Sequence, residues 1–344
     1  MSAQYEALAT KAKAMYGKRV RSADLIRITD LRSVDDILAE LRQLPGWATA
    51  AASLPEGVLL TRARLEDALR DQVRKEGLRL AAFVPQQDRG ILEFPILKAE
   101  QERILAALRR LQASMFKEVE PLPPGYLMRT KVDLEGLRRC QDFDGLVNAA
   151  QGSIYYDALN RLRSGGGELP DYGVTEALLE SVYYRHILRL IRRRYDGDVR
   201  RTMEKSVGVQ VDMLNIMHIL RLKRYFPQED NYLPVLQPFH YRVKPEQIHA
   251  MCTAPTAEGV LELVEATPYA SVFRDVRMEE LNHAYHAALY QFSRRQLMMG
   301  KPSIYSAVAY MNLRELELGA VVSAVEASKY RLPLDRSFLN IMES

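Results

Sequence analysis

Three kinds of pattern bring together residue types that could bind or react. Glu279, His283 and His286 fall at i, i+4 and i+7, the spacing that puts a carboxylate and two imidazoles on one helix face as metal ligands. No second cluster supplies a further ligand, so a polar face with two solvated histidines is the ordinary reading. Gly165–Gly167 and Gly300-Lys301-Pro302-Ser303 invite a phosphate reading, which needs glycine N–H groups, a Lys and a hydroxyl at fixed offset. The first precedes no Lys-Ser/Thr and the second lacks the upstream glycine. The second reads better as a loop capping a helix. The third pattern is Arg185–Arg201, RHILRLIRRRYDGDVRR. Tyr184, Leu188, Ile191 and Tyr195 make an apolar face, with Arg185, Arg189, Arg192 and Arg193 as an adjacent basic stripe. Such a stripe suits a solvated helix face, an acidic protein surface or, third, nucleic acid, although no interleaved aromatic platform accompanies it.

Other chemistry finds no footing. His186, His218, His240 and His249 are isolated, and neither a Gly-x-Ser-x-Gly elbow nor His-Glu-x-x-His occurs. The expectation is no catalytic, cofactor-binding or metal-binding residue. At 344 residues the chain has room for two or three domains with a sound core. A net charge of +4 is mild for a nucleic-acid binder. Cys140 and Cys252 are far apart and outside metal-ligand spacing, and read as thiols in a reducing compartment. The N-terminal stretch lacks a signal peptide's apolar core, and no long apolar run exists. Together these point to a soluble, cytoplasmic chain.

The elements that must carry these residues read as helices throughout, so the expected class is all-α. The clearest lies in Pro302–Pro333: apolar or small residues at Ile304, Ala307, Val308, Met311, Leu318, Val321, Val322 and Val325 follow the 3.6 period. They predict one helix of about 26 residues, with Pro302 in its first turn, Pro333 as its stop and Gly319 its one interior breaker. The stripe reads as one-sided, with Arg314 and Glu315 as a charged waist.

One pattern also recurs three times. Its copies open at Ser22-Ala-Asp-Leu25, Val132-Asp133-Leu134 and Val243-Lys-Pro-Glu. Each continues into a second short helix with a polar start, at Ser33, Asp142 and Thr256, and reaches an aromatic after a turn, at Trp47, Tyr155 and Tyr269. A longer helix follows each, at Phe94–Leu111, Val207–Tyr225 and Pro302–Tyr330. Glu120–Gly125 and Pro227–Pro238 read as linkers, and Ser164–Gly167 as a loop within the second copy. The units expected are residues 1–125, 126–240 and 241–344.

Tyr5-Glu-Ala-Leu, the Val211-Asp212-Met-Leu-Asn215…Arg221 helix, and Tyr310…Arg314-Glu315…Glu317 with Lys329-Tyr330 together resemble one family. It is the V/A-type ATPase central-stalk component known as the C subunit in bacteria and archaea and the d subunit in eukaryotes. The resemblance spans essentially the whole chain. It implies three similar helical units around a pseudo-threefold axis, forming a funnel without catalytic function. The narrow side would sit on the membrane rotor ring of proteolipid subunits, and the mouth would receive the central shaft. The chain would pass torque between ATP turnover and H⁺ or Na⁺ translocation from the cytoplasmic side, held peripherally by the complex, without nucleic acid. Arg189, Arg192 and Arg193 are the candidates for touching the shaft. The alternative is a free-standing helical interaction scaffold. One departure stands out: a polar pair is expected after Glu317-Leu318, where this chain has Gly319-Ala320.

Overall fold

The computed structural model describes residues 3–54, 61–114, 129–163, 168–227, 232, 235–331, 339 and 342. Helices are the only regular structure among them, as the sequence pattern predicts. In chain order they are α1 (Ala3–Tyr16), α2 (Ser22–Asp30), α3 (Val34–Gln43), α4 (Ala48–Ala52), α5 (Arg62–Leu80), α6 (Phe94–Gln112), α7 (Leu134–Arg139) and α8 (Phe143–Ala149). Then come α9 (Tyr156–Arg161), α10 (Tyr172–Arg194), α11 (Gly197–Tyr225), α12 (Pro245–Thr253), α13 (Ala257–Glu265), α14 (Ala270–Phe273), α15 (Leu281–Met299) and α16 (Tyr305–Tyr330). Short 3₁₀ segments precede α6 and α15. The linker expected at Glu120–Gly125 and the loop at Ser164–Gly167 lie outside the described residues, as does part of Pro227–Pro238.

The chain divides into two compact units. Unit 1 joins residues 1–92 to 279–344, and unit 2 is the contiguous stretch 93–278. Unit 1 is built on α16, which packs against α1, α2, α5 and α15. This helix has 26 residues, the predicted length, and ends where Arg331 turns left-handed at φ +54° and donates its N–H to Ala327. Pro302 lies three residues ahead of the first helical position, not in the first turn. The buried face is wider than the predicted stripe. Tyr305, Ala309, Leu313, Leu316 and Ala320 are buried as well, which leaves a narrow half-buried line along Val308, Asn312, Glu315, Gly319, Val322 and Glu326. Of the charged waist, Arg314 is inside at 3% exposure, whereas Glu315 stays half-buried.

In unit 2, α6, α10 and α11 are the long elements, with α10 packed on both of the others and α12 and α13 on α11. α11 begins at Gly197, ten residues before the predicted start at Val207. Gly197 sits at φ +58°, a left-handed conformation cheap only for glycine, and this lets the chain leave α10 and start α11 within two residues.

A shared local arrangement underlies the three sequence copies. Each opens on a buried valine, Val20, Val132 or Val243, and its first helix starts two residues later. Each second helix is capped by a side-chain oxygen: Ser33 accepts from the Asp36 N–H, Asp142 from Gly145 and Thr256 from Gly259. Each also meets a buried carboxylate on a long helix. Glu317 of α16 accepts the Val20 N–H at 2.9 Å and the Trp47 indole N–H at 3.1 Å. Glu100 of α6 accepts the Lys131 N–H at 2.6 Å and the Thr130 hydroxyl at 2.9 Å. One turn earlier, the Leu97 carbonyl accepts the Tyr155 hydroxyl at 2.8 Å. Asp212 of α11 accepts the N–H groups of Tyr241, Arg242 and Val243 at 2.7–3.1 Å and the Tyr269 hydroxyl at 2.8 Å. Buried backbone donors must be paired, and these carboxylates do it at positions helix and loop leave open.

Candidate protein-interaction site

The basic stripe singled out in the sequence lies on α10. Asp171 caps the helix by accepting the Val174 N–H at 2.9 Å. Tyr184, Leu188, Ile191 and Tyr195 are all buried, as the period predicts. That fixes the helix's rotation, so Arg185, Arg189, Arg192 and Arg193 are exposed together. At 1.5 Å per residue, Arg185 to Arg193 spans about 12 Å, roughly two turns. Arg192 and Arg193 also sit in the last turn, where helix carbonyls favour positive charge.

These arginines rim an open groove of about 340 Å³, lined by Arg185, Leu188, Arg189, Arg192, Arg193 and Phe239. Phe239 comes from the segment between α11 and α12, and that segment is pinned on both sides. Before it, the Gln237 side chain donates to Glu180 at 3.1 Å and to the Ala177 carbonyl at 3.3 Å, both on α10. The Gln237 backbone makes a reciprocal pair with the Asn215 amide on α11, at 2.8 and 3.0 Å. After it, Asp212 holds residues 241–243. Gly208 contributes by absence: a Cβ there would overlap the Tyr241 ring, so the ring rests on bare helix backbone. Thus Asp212 and Asn215, two residues of the sequence resemblance, hold the wall that carries Phe239.

The rim is not uniform. Arg192 pairs with Glu204 of α11 at 3.0 Å, and Arg200 reaches the same carboxylate at 3.3 Å. Arg185 turns back along α10 to the Ser181 hydroxyl at 3.5 Å, and Arg189 and Arg193 have no carboxylate partner among the described residues. Burial, then the neighbouring Arg189 charge, pushes the His186 imidazole below its ordinary value, so it stays neutral near pH 7. The groove therefore offers two uncommitted guanidinium groups over an apolar floor. It can take up anionic side chains but contains no nucleophile or base.

Sequence reasoning found the arginines and missed Phe239 and Glu204. Phe239 follows Pro238 outside any periodic run. Glu204 meets Arg192 across two helices, a separation that no i, i+4 rule reports. The other candidate clusters do not assemble. Glu279 lies in the 3₁₀ segment ahead of α15, out of α-helical register with His283 and His286. Among the described residues no group of three potential metal ligands occurs, and no helix is long and apolar enough to cross a membrane.

The most elaborate polar cluster lies inside unit 1. The Arg314 guanidinium donates to Glu76 at 3.0 Å and contacts Glu317 at 2.7 Å. It also reaches the Gly46 carbonyl and lies 3.7 Å from the centre of the Trp47 ring. Tyr310 donates to Glu76 at 2.6 Å, and Gln72 donates to Glu76 at 3.1 Å. Burial works against the Arg314 charge, but Glu317 and Glu76 outweigh it and hold the group above the ordinary arginine value. A cation locked between two carboxylates and under an indole has no free valence for a ligand. This cluster is a fastening. Beyond it on α16, Gly319 and Ala320 stand where the resemblance led us to expect a polar pair, and Ala320 is fully buried.

Comparison with known proteins gives this architecture a family. The C subunit of the A-type ATP synthase of Methanobrevibacter smithii is 22% identical over 322 residues, covering 89% of this chain and 79% of that one. Its counterpart in Pyrococcus abyssi is 22% identical over 325 residues, covering 90% and 85%. That of Methanosphaera stadtmanae is 22% identical over 326 residues, covering 90% and 80%. The family described as ATP synthase (C/AC39) subunit matches residues 8–337. Nearly the whole chain is matched, and it belongs to the ATP synthase (C/AC39) subunit family.

Proposed function

We propose that this chain is the non-catalytic rotor adaptor of a V/A-type ATP synthase. In this reading it sits on the cytoplasmic face of the membrane rotor ring, receives the central shaft, and transmits torque between ATP turnover and H⁺ or Na⁺ translocation. The observation that carries it is the family match over residues 8–337. The helical make-up supports it, because a torque-bearing part needs stiffness and no active site. The thrice-used carboxylate arrangement supports three similar units, 1–125, 126–240 and 241–344, set around a pseudo-threefold axis as a funnel. Arg189, Arg192 and Arg193 are assigned to the shaft contact, since interfaces of this kind rest on a few aromatic and arginine anchors.

Affinity purification of the tagged chain from its own cells tests the reading. Recovery with a proteolipid ring and shaft proteins is expected. Recovery alone, or with unrelated proteins, replaces it with a free-standing scaffold. Replacing Arg189, Arg192 and Arg193 together by Ala should weaken shaft binding by about tenfold or more, readable by pull-down with the purified shaft.

A further inference from the structure

We infer that the α10 groove is a preorganised socket for an acidic amphipathic helix, with Phe239 and Leu188 receiving an apolar side chain and Arg189 and Arg193 receiving flanking carboxylates. For the partner's identity, the shaft, this rests on the proposed function; the chemistry rests on the groove alone.

Charge and shape both select that occupant. The rim is cationic, and its two uncommitted guanidinium groups are four residues apart, about 6 Å along the axis. A helix laid alongside presents carboxylates at i and i+4 with the same rise, so one pair can meet the other in register. Phosphate-rich ligands would use the arginines but leave Phe239 without a role. The floor is also built in advance. Gln237 and residues 241–243 tie the Phe239 segment to α10 and α11, so little ordering is left to cost affinity on binding.

Glu204 sharpens the assignment. It supplies to Arg192, from within the chain, the carboxylate that a partner would otherwise bring. Arg189 and Arg193 therefore carry the recognition, and Glu204 holds Arg192 in reserve. Removing its charge frees a third guanidinium for the partner.

The test titrates the purified chain into a labelled helical peptide of about 15–20 residues, with two Glu at i and i+4 and a Leu on the same face. A peptide of equal composition broken by proline is the control, and tripolyphosphate and single-stranded DNA serve as competitors. The acidic helix should bind, and Phe239→Ala or the pair Arg189→Glu/Arg193→Glu should each weaken it about tenfold. Glu204→Gln should tighten it about threefold, since an exposed arginine is freed at modest gain. The arginine pair is exposed, so its reversal reads the groove even if Phe239→Ala perturbs folding. The assignment is overturned if the wild-type chain ignores the helix, if the proline-broken peptide binds equally, or if Glu204→Gln weakens binding. It also fails if tripolyphosphate or DNA displaces the peptide at equal charge concentration. Failure here with normal recovery of ring and shaft leaves the rotor reading intact. Success here with no such recovery removes that reading and keeps the socket.

Discussion

The carboxylates of the two units do the same job with different partners. In unit 1, Glu317 holds Val20 and Trp47 while sharing the Arg314 charge with Glu76. In unit 2, Asp212 and Glu100 are bonded by backbone N–H groups and hydroxyls alone. A buried ion cluster is costly to desolvate, and removing one member strands the others without compensation. A carboxylate held by backbone N–H groups and hydroxyls, with no ion pair beside it, risks less on loss. Burial pushes the Glu100 carboxyl up, with the Lys131 N–H pulling the other way. Burial also raises Glu180 and Glu176, both in unit 2. The same mechanical task thus leaves one unit sensitive to mutation and the other to pH.

Breaking the ionic side should have the largest effect. Arg314→Ala leaves Glu76 and Glu317 buried without a counter-charge and should cost about 3–5 kcal/mol. Trp47 is the protein's one tryptophan and touches this cluster, so the urea midpoint of its fluorescence reads the loss directly. An unchanged midpoint would mean that the ion cluster does not hold unit 1 together. On the neutral side, Asp212→Asn turns an amide toward donors that need acceptors and should cost about 2–3 kcal/mol. Here circular dichroism should report the loss, with the Trp47 transition moving less.

Acidity separates the units more gently. An acid whose folded pKa exceeds its unfolded value binds more protons when folded. Its contribution is complete below the unfolded value, here 4.5, and is lost as pH rises through the folded one. His186 and His218, also in unit 2 and lowered by burial, act in the opposite sense as pH falls, so the carboxyls are read by difference. The wild type should gain stability relative to Glu100→Gln as pH is lowered from 7 toward 5, measured as urea midpoints by circular dichroism, and a relative loss would contradict the raised Glu100 carboxyl. Glu100→Gln should have the smallest effect, within about 1 kcal/mol at pH 7. Its carbonyl can keep the Lys131 and Thr130 bonds, while its amide occupies the side of Oε2, which accepts no bond. The variant should also flatten the pH dependence.

The sequence made the helical class and the length of α16 readable, because both follow from a 3.6 period, while the expected stop at Pro333 lies outside the described residues. The rotation of α10 was readable for the same reason. What stayed hidden involves polar residues placed inside. Arg314, Glu317 and Glu76 look like surface residues until their pairing is seen, so the buried face of α16 reads as narrower than it is. The first turns of α11 carry Asp198, Arg200, Arg201, Glu204 and Lys205, and their charge masks the helix. Glu100 has no sequence neighbour to betray its bond to residue 131. Phe239 gains its meaning from pins at 237 and 241–243, contacts with sequence separations of 22 to 60 residues.

Unit 1 is assembled from the two ends of the chain, with α16 at its centre. On a ribosome, the apolar faces of α1, α2 and α5 must wait for a helix that begins about 240 residues after α5 does. Unit 2 is contiguous and can close on itself in the interval. Synthesis thus imposes an order: the middle sets first, and the beginning stays chaperone-accessible until the end arrives.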